Sequence, residues 1–435
     1  MPATPLDRFV LEASHRSAVP GSAEGAHNHS DPVSHGDPAR HGDPHGRYLL
    51  FADVVYNGLG TPRADAAVAL FADEDEHGGK RTTIVEYGDQ RTASERHPAS
   101  QPYDAGFAIS PAVVNAHTHL DLSDMQFTPG GYEPFIAAVV AHSRAGARGV
   151  SAARRGLDEL RAAGVEVVGD VVTDEAVAAL LLASELRGVA YWEVIAPRAE
   201  DADEAFDRAT KTVSRLREHE RHGGMRIGLS PHTPHTVSAQ LLTRLVGWAH
   251  ENAVPIAIHV AESPSERTLQ LSGSGPLAEG LAAWGLPVLA SGLSPVAYLD
   301  SLGVLAAAPT LVHMVAVDED DVRLVQRHGC PVVHCPRSND ALGCGRFPWE
   351  LYARHGVDVA FGTDSRGSSP DLDVTCEVDF AVKLHGAKAN PRGLVRAAVK
   401  GGHKALGLEP PLVRRGEEAG ALVAWGSGLE RAAAL

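Results

Sequence analysis

The segment Asn115-Ala116-His117-Thr118-His119-Leu120-Asp121 closes an apolar run from Phe107 to Val114. In a β-strand, side chains two residues apart share a face, so His117 and His119 are predicted to project together from the strand's C-terminal end and share a metal ion. In a chain with 23 histidines, two close together can also be ordinary loop residues. Ligation gains support because strand-terminal histidines and one aspartate recur downstream, at His259, His313 and Asp364. Imidazoles with a carboxylate suit zinc, or iron, and three histidines with one aspartate leave a position for water. The expected ligands are His117, His119, His259 and Asp364.

Glu262, three residues after His259, is placed to reach that water or the substrate. A glutamate there can carry a proton to a ring nitrogen or leaving group if its surroundings hold its pKa near working pH. His313 follows Thr310-Leu311-Val312 and reads as a proton-transfer group, a supporting group or a fourth nitrogen ligand. Zinc brings the pKa of bound water to about 7, and Asp364 could accept the proton released on attack. The chemistry is hydrolysis at an electrophilic sp2 carbon.

These residues need strands that end together. Strand-length apolar runs alternate with helical-period stretches, the pattern of βα units and a parallel sheet. Eight strands are predicted: Ala108 to Asn115, Val165 to Asp170, Val189 to Ile195, Arg226 to Leu229, Pro255 to His259, Thr310 to His313, Pro331 to His334 and Asp358 to Gly362. The fold class is α/β, a (β/α)8 TIM barrel, in which catalytic groups belong at the C-terminal strand ends. Helices are expected over Asp174 to Arg187, Ala202 to His219 and Ser238 to Asn252, the last capped by Ser238. The long connection from Ala261 to Pro309 reads as a lid or substrate loop.

Short β-like runs at Tyr48 to Val55, Ala66 to Phe71 and Thr82 to Tyr87, with Gly420 to Trp425 near the other end, predict a small composite β-sandwich domain built from both chain ends. The boundaries are 47–108 and 409–435 for this sandwich and 109–408 for the barrel. Residues 1–46, rich in Gly, Pro, Ser and His, hold too few apolar side chains to offset ordering entropy and read as a mobile tail.

The formal net charge is -16 with no basic cluster, which argues against nucleic acid and anionic membrane surfaces as partners and for a small molecule. No run of about 18 apolar residues could span a membrane, and the basic-then-apolar pattern of a signal peptide is missing, so a cytoplasmic location is expected. Cys330, Cys335, Cys344 and Cys376 show no C-x-x-C pairing and read as buried free thiols.

Five motifs in order, Asn115-Ala116-His117-Thr118-His119, Ser230-Pro231-His232-Thr233-Pro234-His235-Thr236, His259-Val260-Ala261-Glu262, His334-Cys335-Pro336-Arg337-Ser338-Asn339 and Gly362-Thr363-Asp364-Ser365, resemble the amidohydrolase superfamily over about residues 48–430. The branch is that of chlorohydrolases and aminohydrolases acting on nucleobases and nucleosides. The resemblance implies one divalent metal per chain, zinc or alternatively iron, on His117, His119, His259 and Asp364, with Glu262 and His313 handling protons and His232 contacting substrate. No lysine ends the fourth strand, where binuclear relatives carry a bridging one. His235 stands where many relatives have tyrosine, which leaves its role open. Superfamily relatives are often homodimers.

Within the branch the sequence looks most like the aminodeoxyfutalosine deaminases, which release ammonia from the adenine ring of a menaquinone precursor carrying a benzoate. Arg337 and Arg366 are candidates to hold that benzoate, and Ser338 and Asn339 either line the pocket or brace it. Deaminases of S-adenosylhomocysteine, methylthioadenosine or guanine are the nearby alternative, and a non-catalytic metal-binding scaffold the remote one.

Overall fold

The computed structural model describes residues 46–58, 62–74, 80–417 and 422–425; the predicted N-terminal tail and residues 420 and 421 of the last predicted strand lie outside them. Two compact units are present, one taking the described residues up to Ala112 and from Pro411 onward, the other Val113–Pro410.

The smaller unit is a six-stranded sheet. Strand β1 (Arg47–Val55) lies centrally, with β2 (Arg63–Glu74) and β3 (Lys80–Asp89) antiparallel on one side. On its other edge it pairs with β4 (Gln101–Asp104) and then β5 (Ala108–Pro111), both parallel, and β5 pairs antiparallel with the C-terminal strand β14 (Leu422–Trp425). Alternation sends Leu50, Val68, Leu70 and Ile84 to one face and Leu49, Ala67 and Ala69 to the other, so each face has its own core. Trp425, 2% exposed, donates from Nε1 to Ser110 Oγ at 2.9 Å and ties the last described strand to β5.

The larger unit is α/β. Its strands β6 (Val114–Thr118), β7 (Val167–Val172), β8 (Arg187–Val194) and β9 (Met225–Pro231) form one parallel sheet. Strands β10 (Ala257–Val260), β11 (Thr310–His313), β12 (Val332–His334) and β13 (Val359–Phe361) form a second. Bridges join the sheets at both edges, Leu229 to Ile256 between β9 and β10 and Thr118 to Asp364 between β6 and the end of β13. Val114, Val167, Val171, Val189, Val312 and Val333 pack into one core with Ala257, Ala360 and Leu406, as expected of strands covered on both faces.

The run predicted as one strand, Ala108 to Asn115, is two. Pro111 brings no backbone donor, and at Ala112 the chain leaves the sheet of β1 and β14 before beginning β6. Unit boundaries accordingly fall at 112/113 and 410/411 rather than 108/109 and 408/409. The helix expected to reach Arg187 stops at Leu182. Arg187 instead opens β8, where its amide bonds to Glu166 O at 2.9 Å. Ser238 does precede the helix Ala239–Glu251, but its side chain makes no capping bond. The connection after β10, read as a lid or substrate loop, holds the helices Pro264–Ser272, Pro276–Ala283 and Pro295–Ser301, each begun by proline. No helix among the described residues is long and apolar enough to cross a membrane.

Candidate metal centre and active site

At the C-terminal ends of these strands the side chains converge. Ligand atoms of His117, His119 and His259 lie within 4.8 Å of one another, and so do those of Glu262, His313 and Asp364. The two sets share a border, with Asp364 Oδ1 at 3.5 Å from His117 Nε2 and 3.6 Å from His119 Nε2. Two donors each about 2.1 Å from a tetrahedral ion stand about 3.4 Å apart. The spacing fits a shared divalent cation, and His117 Nε2 is a buried nitrogen without a hydrogen-bond partner.

Each donor is aimed by the chain behind it. His259 Nδ1 faces the His232 carbonyl at 3.1 Å. A carbonyl only accepts, so Nδ1 carries the proton and Nε2 is left as the ligand nitrogen. Asp364 Oδ2 accepts from Ser338 Oγ at 2.7 Å and Ser368 Oγ at 3.0 Å, which leaves Oδ1 for the histidines. The Asp364 amide bonds to His117 O at 3.0 Å. Asn115 receives the Thr363 amide at 3.1 Å on Oδ1 and donates from Nδ2 to Thr363 Oγ1 at 2.8 Å. A Cβ on Gly362 would sit 2.8 Å from His117 Cβ and 2.9 Å from its carbonyl oxygen, so glycine is required for β13 to end against the histidine. On the other side, Asp170 Oδ1 accepts from Thr118 Oγ1 and the Leu120 amide, both at 2.8 Å, fixing the backbone around His119.

Backbone strain concentrates here. Ala261, His313, Met314 and Asp364 have φ of +51°, +74°, +52° and +62°. Each such non-glycine conformation costs about 1–3 kcal/mol and persists only where its surroundings hold it. Neighbouring strand ends supply the hold, through Met314 N to Val260 O at 3.1 Å and Val315 N to Ala261 O at 2.9 Å.

Burial, then the neighbouring imidazoles, keeps the His259 ring well below its usual range, and His119 likewise. Neutral His119 beside Asp364 is a ligand pair in waiting, not an ion pair. Burial opposes the Asp364 charge, but the adjacent His117, His119 and His313 outweigh it and hold the carboxyl well below the usual range. Glu262 goes the other way. Burial, reinforced by Asp364 and Glu266, raises it well above the ordinary carboxyl value. His313, pushed down to about 3 chiefly by burial, places Nε2 3.7 Å from Glu262 Oε1 and Nδ1 3.1 Å from Asn339 Nδ2.

The residues expected to touch substrate separate. His232 stays beside the centre, its ring 5.2 Å from His259 and Nδ1 bonded to Thr236 Oγ1 at 2.8 Å. Arg337, Ser338 and Asn339 are drawn behind it. Arg337 donates to Glu377 Oε1 at 2.6 Å and, in a fork, to both Asp371 oxygens at 2.8 Å, so the guanidinium expected to grip a substrate carboxylate is saturated by the protein. Arg366 is likewise bonded to Ser369 O, Pro370 O and Glu159. Ser338 and Asn339 are almost fully buried and brace Asp364 and His313. Cys330, Cys335 and Cys344 are buried free thiols, whereas Cys376 is partly exposed.

Four residues near the centre escaped sequence reasoning. Tyr132 is buried and close enough to Glu262 for the Glu262 carboxyl to raise its hydroxyl. Glu193, at the end of β8, groups with His232 and His259. Arg148, forked onto Asp121 at 2.9 Å on both oxygens, is close enough to depress His119 and His232. Glu266 lies directly behind Glu262. Only Glu266 carried a readable signal, as the fourth residue of Ser263-Pro264-Ser265-Glu266, a capping-box pattern.

The profile described as "Amidohydrolase family" matches residues 108–419. An aminodeoxyfutalosine deaminase of Deinococcus radiodurans is 43% identical over 379 residues, covering 85% of this chain and 88% of that one. The crystal structure of Helicobacter pylori aminofutalosine deaminase in complex with methylthio-coformycin superposes with a TM-score of 0.70 at 20% identity, covering 87% and 92% of the two chains. An adenosine deaminase from Xanthomonas campestris with bound zinc superposes with a TM-score of 0.61 at 25% identity, covering 86% and 83%.

Proposed function

This chain belongs to the amidohydrolase family, and we propose that within it the protein is a metal-dependent hydrolytic deaminase of an adenosine-like compound, namely 6-amino-6-deoxyfutalosine. The observation that carries this is the convergence of three histidines and Asp364 at ligand spacing, with the buried Glu262 grouped beside Asp364.

His117, His119, His259 and Asp364 would hold one cation, and β9 ends in Ser230-Pro231, with no lysine to bridge a second. Such an ion, zinc by its donors and by the zinc in the Xanthomonas structure, would supply Lewis acidity and make water acidic enough to attack near neutral pH. Glu262 gives its proton to the ring nitrogen next to the amino-bearing carbon, making that carbon electrophilic. Asp364, held ionised, accepts the proton shed by the attacking water. His313, grouped with Asp364 and Glu262, relays that proton to the departing amine, and Glu262 takes the hydroxyl proton back as the ring carbonyl forms, so water adds, ammonia leaves and both carboxyls recover their starting states. His232 contacts the substrate beside His259. The same proposal takes the eight strands, joined at both edges, as a (β/α)8 barrel and the six-stranded sheet as the composite sandwich.

Deamination converts an adenine chromophore to a hypoxanthine one, which ultraviolet absorbance follows directly. Metal-loaded protein should turn over aminodeoxyfutalosine in preference to adenosine, methylthioadenosine, S-adenosylhomocysteine and guanine. Turnover of one of the others with silence on aminodeoxyfutalosine would discard the substrate and keep the mechanism. Silence on all five would discard both.

A further inference from the structure

Residues three apart on an extended strand face opposite ways, so His259 and Glu262 could not both address the centre if β10 simply continued. The reversal happens at Ala261, whose φ of +51° turns the chain and brings Glu262 back. Such a turn must be held on both sides of the peptide. Its carbonyl side is held by backbone, Ala261 O accepting from Val315 N at 2.9 Å and Ala316 N at 2.8 Å. Its amide side is held by one side chain, Glu266, whose Oε2 accepts from Glu262 N at 2.8 Å.

A helix-capping role does not account for Glu266. Ser263 caps the helix Pro264–Ser272 by accepting from Glu266 N at 3.2 Å, and in the usual box the glutamate would answer to the amide of the capping serine itself. Here it reaches one residue further back, to Glu262. It is also only 1% exposed, where a capping glutamate is ordinarily in water, and Oε1 has no hydrogen-bond partner, with His235 Nδ1 4.0 Å away. Burial pushes its carboxyl up to about 7 despite the amides. A side chain that costly to bury fits a task beyond one helix end.

We infer that Glu266 is a positioning residue: its carboxyl pins the Ala261–Glu262 turn and so aims the Glu262 side chain at the reacting ring. This rests on the role proposed for Glu262. It requires only a hydrogen-bond acceptor at Glu266, which glutamine retains and methionine, of similar length, lacks.

The test compares Glu266→Gln, Glu266→Met and Glu262→Gln in the metal-loaded full chain, with kcat, KM, metal content and backbone hydrogen exchange over residues 258–264 as readouts. Misaiming a proton donor by about 1 Å costs on the order of 100-fold. Glu266→Met should therefore lose about 10- to 100-fold in kcat, with KM and metal content within about twofold and faster exchange at the turn. Glu266→Gln should stay within about threefold of wild type on every readout. Undiminished kcat in the methionine variant would overturn the inference, as would a glutamine variant as slow as methionine or a fall in metal content that tracks the fall in rate. Should methionine prevent folding, the glutamine variant decides. A crystal structure with its amide oxygen within about 3.2 Å of Glu262 N and near-normal kcat supports the inference, while a tenfold loss with that bond intact overturns it. Full activity in Glu262→Gln would instead remove the role of Glu262; an inactive Glu262→Gln beside a fully active Glu266→Met would remove only the positioning.

Discussion

Two groups of histidines at neighbouring strand ends have opposite characters. His313 ends β11 and His334 ends β12, and these strands pair in register through Val312 and Val333. Both rings are buried, and burial depresses both. His313 turns at a φ of +74° to face Glu262 and Asp364. His334 stacks on Phe347, with centroids 4.1 Å apart and planes 12° from parallel, and its Nε2 is spent on His385 Nε2 at 3.3 Å. Neither His334 nor His385 joins any metal-competent group among the described residues. The lesson is that burial, a lowered pKa and a strand-end position do not make a ligand. What distinguishes the centre is a carboxylate at ligand spacing and backbone that turns the rings towards it.

The comparison is broken most severely by removing ligands. His117→Ala or His259→Ala should strip the metal and cost more than about 10³-fold in kcat/KM, because an ion's transition-state stabilisation amounts to several kcal/mol. His334→Phe, which preserves the stack, should keep its metal. Elemental analysis beside the rate assay checks both, and a His334→Phe protein that lost metal while His259→Ala kept it would erase the distinction. Next in size is Glu262→Gln, expected to lose about 10²- to 10⁴-fold in kcat, the range for a general acid or base, with metal content unchanged.

How far the centre was legible in the chain follows the same division. His117, His119, His259 and Asp364 could be read because each follows a strand-length apolar run, and strand ends in an α/β fold share one face of the sheet. Glu262 was legible by proximity to His259, although strand alternation alone would have pointed it away; the turn at Ala261 is a tertiary effect that no local pattern announces. Arg337 misled because charge is visible in a sequence and its partners are not: Asp371 and Glu377 lie more than thirty residues downstream. Tyr132 and Arg148 sit in the segment after β6, whose path depends on what it packs against. The split at Ala112 was masked because the run stays apolar on both sides of Pro111, the one local sign of a break, and the two halves differ in their pairing partners.

Arg337 gives the third and more moderate test, since it supports the centre from behind. Removing one partner of a buried ion pair costs about 3–5 kcal/mol. Burial raises Glu377 to about 7, against the pull of Arg337, so near neutrality the orphaned carboxyl can take up a proton and the loss in Arg337→Ala should lie towards about 3 kcal/mol. Urea unfolding measures it, and the KM for substrate should stay within about twofold. A large rise in KM with unchanged stability would return Arg337 to the role of substrate contact.

The smallest effect belongs to the aromatic-packed pair and is read through pH. Burial, with Arg346 and Lys388 nearby and Glu350 opposing them, lowers His385 to about 4, whereas an unfolded histidine titrates near 6.5. Between those values the unfolded chain binds a proton that the native ring refuses, so this group's contribution is complete above about pH 6.5 and is lost as pH falls towards 4. The full shift corresponds to about 3 kcal/mol. In His385→Phe that loss disappears, but so does the bond to His334, worth about 1 kcal/mol. The variant should therefore be slightly less stable than wild type at pH 7.5, and the difference should shrink or reverse by pH 4.5, since every carboxylate titrating in that window is common to both proteins. Denaturant midpoints across the range provide the difference curve, with kcat at pH 7.5 unchanged. A constant stability difference together with a fall in kcat would place His385 in the working centre and undo the contrast between the two clusters.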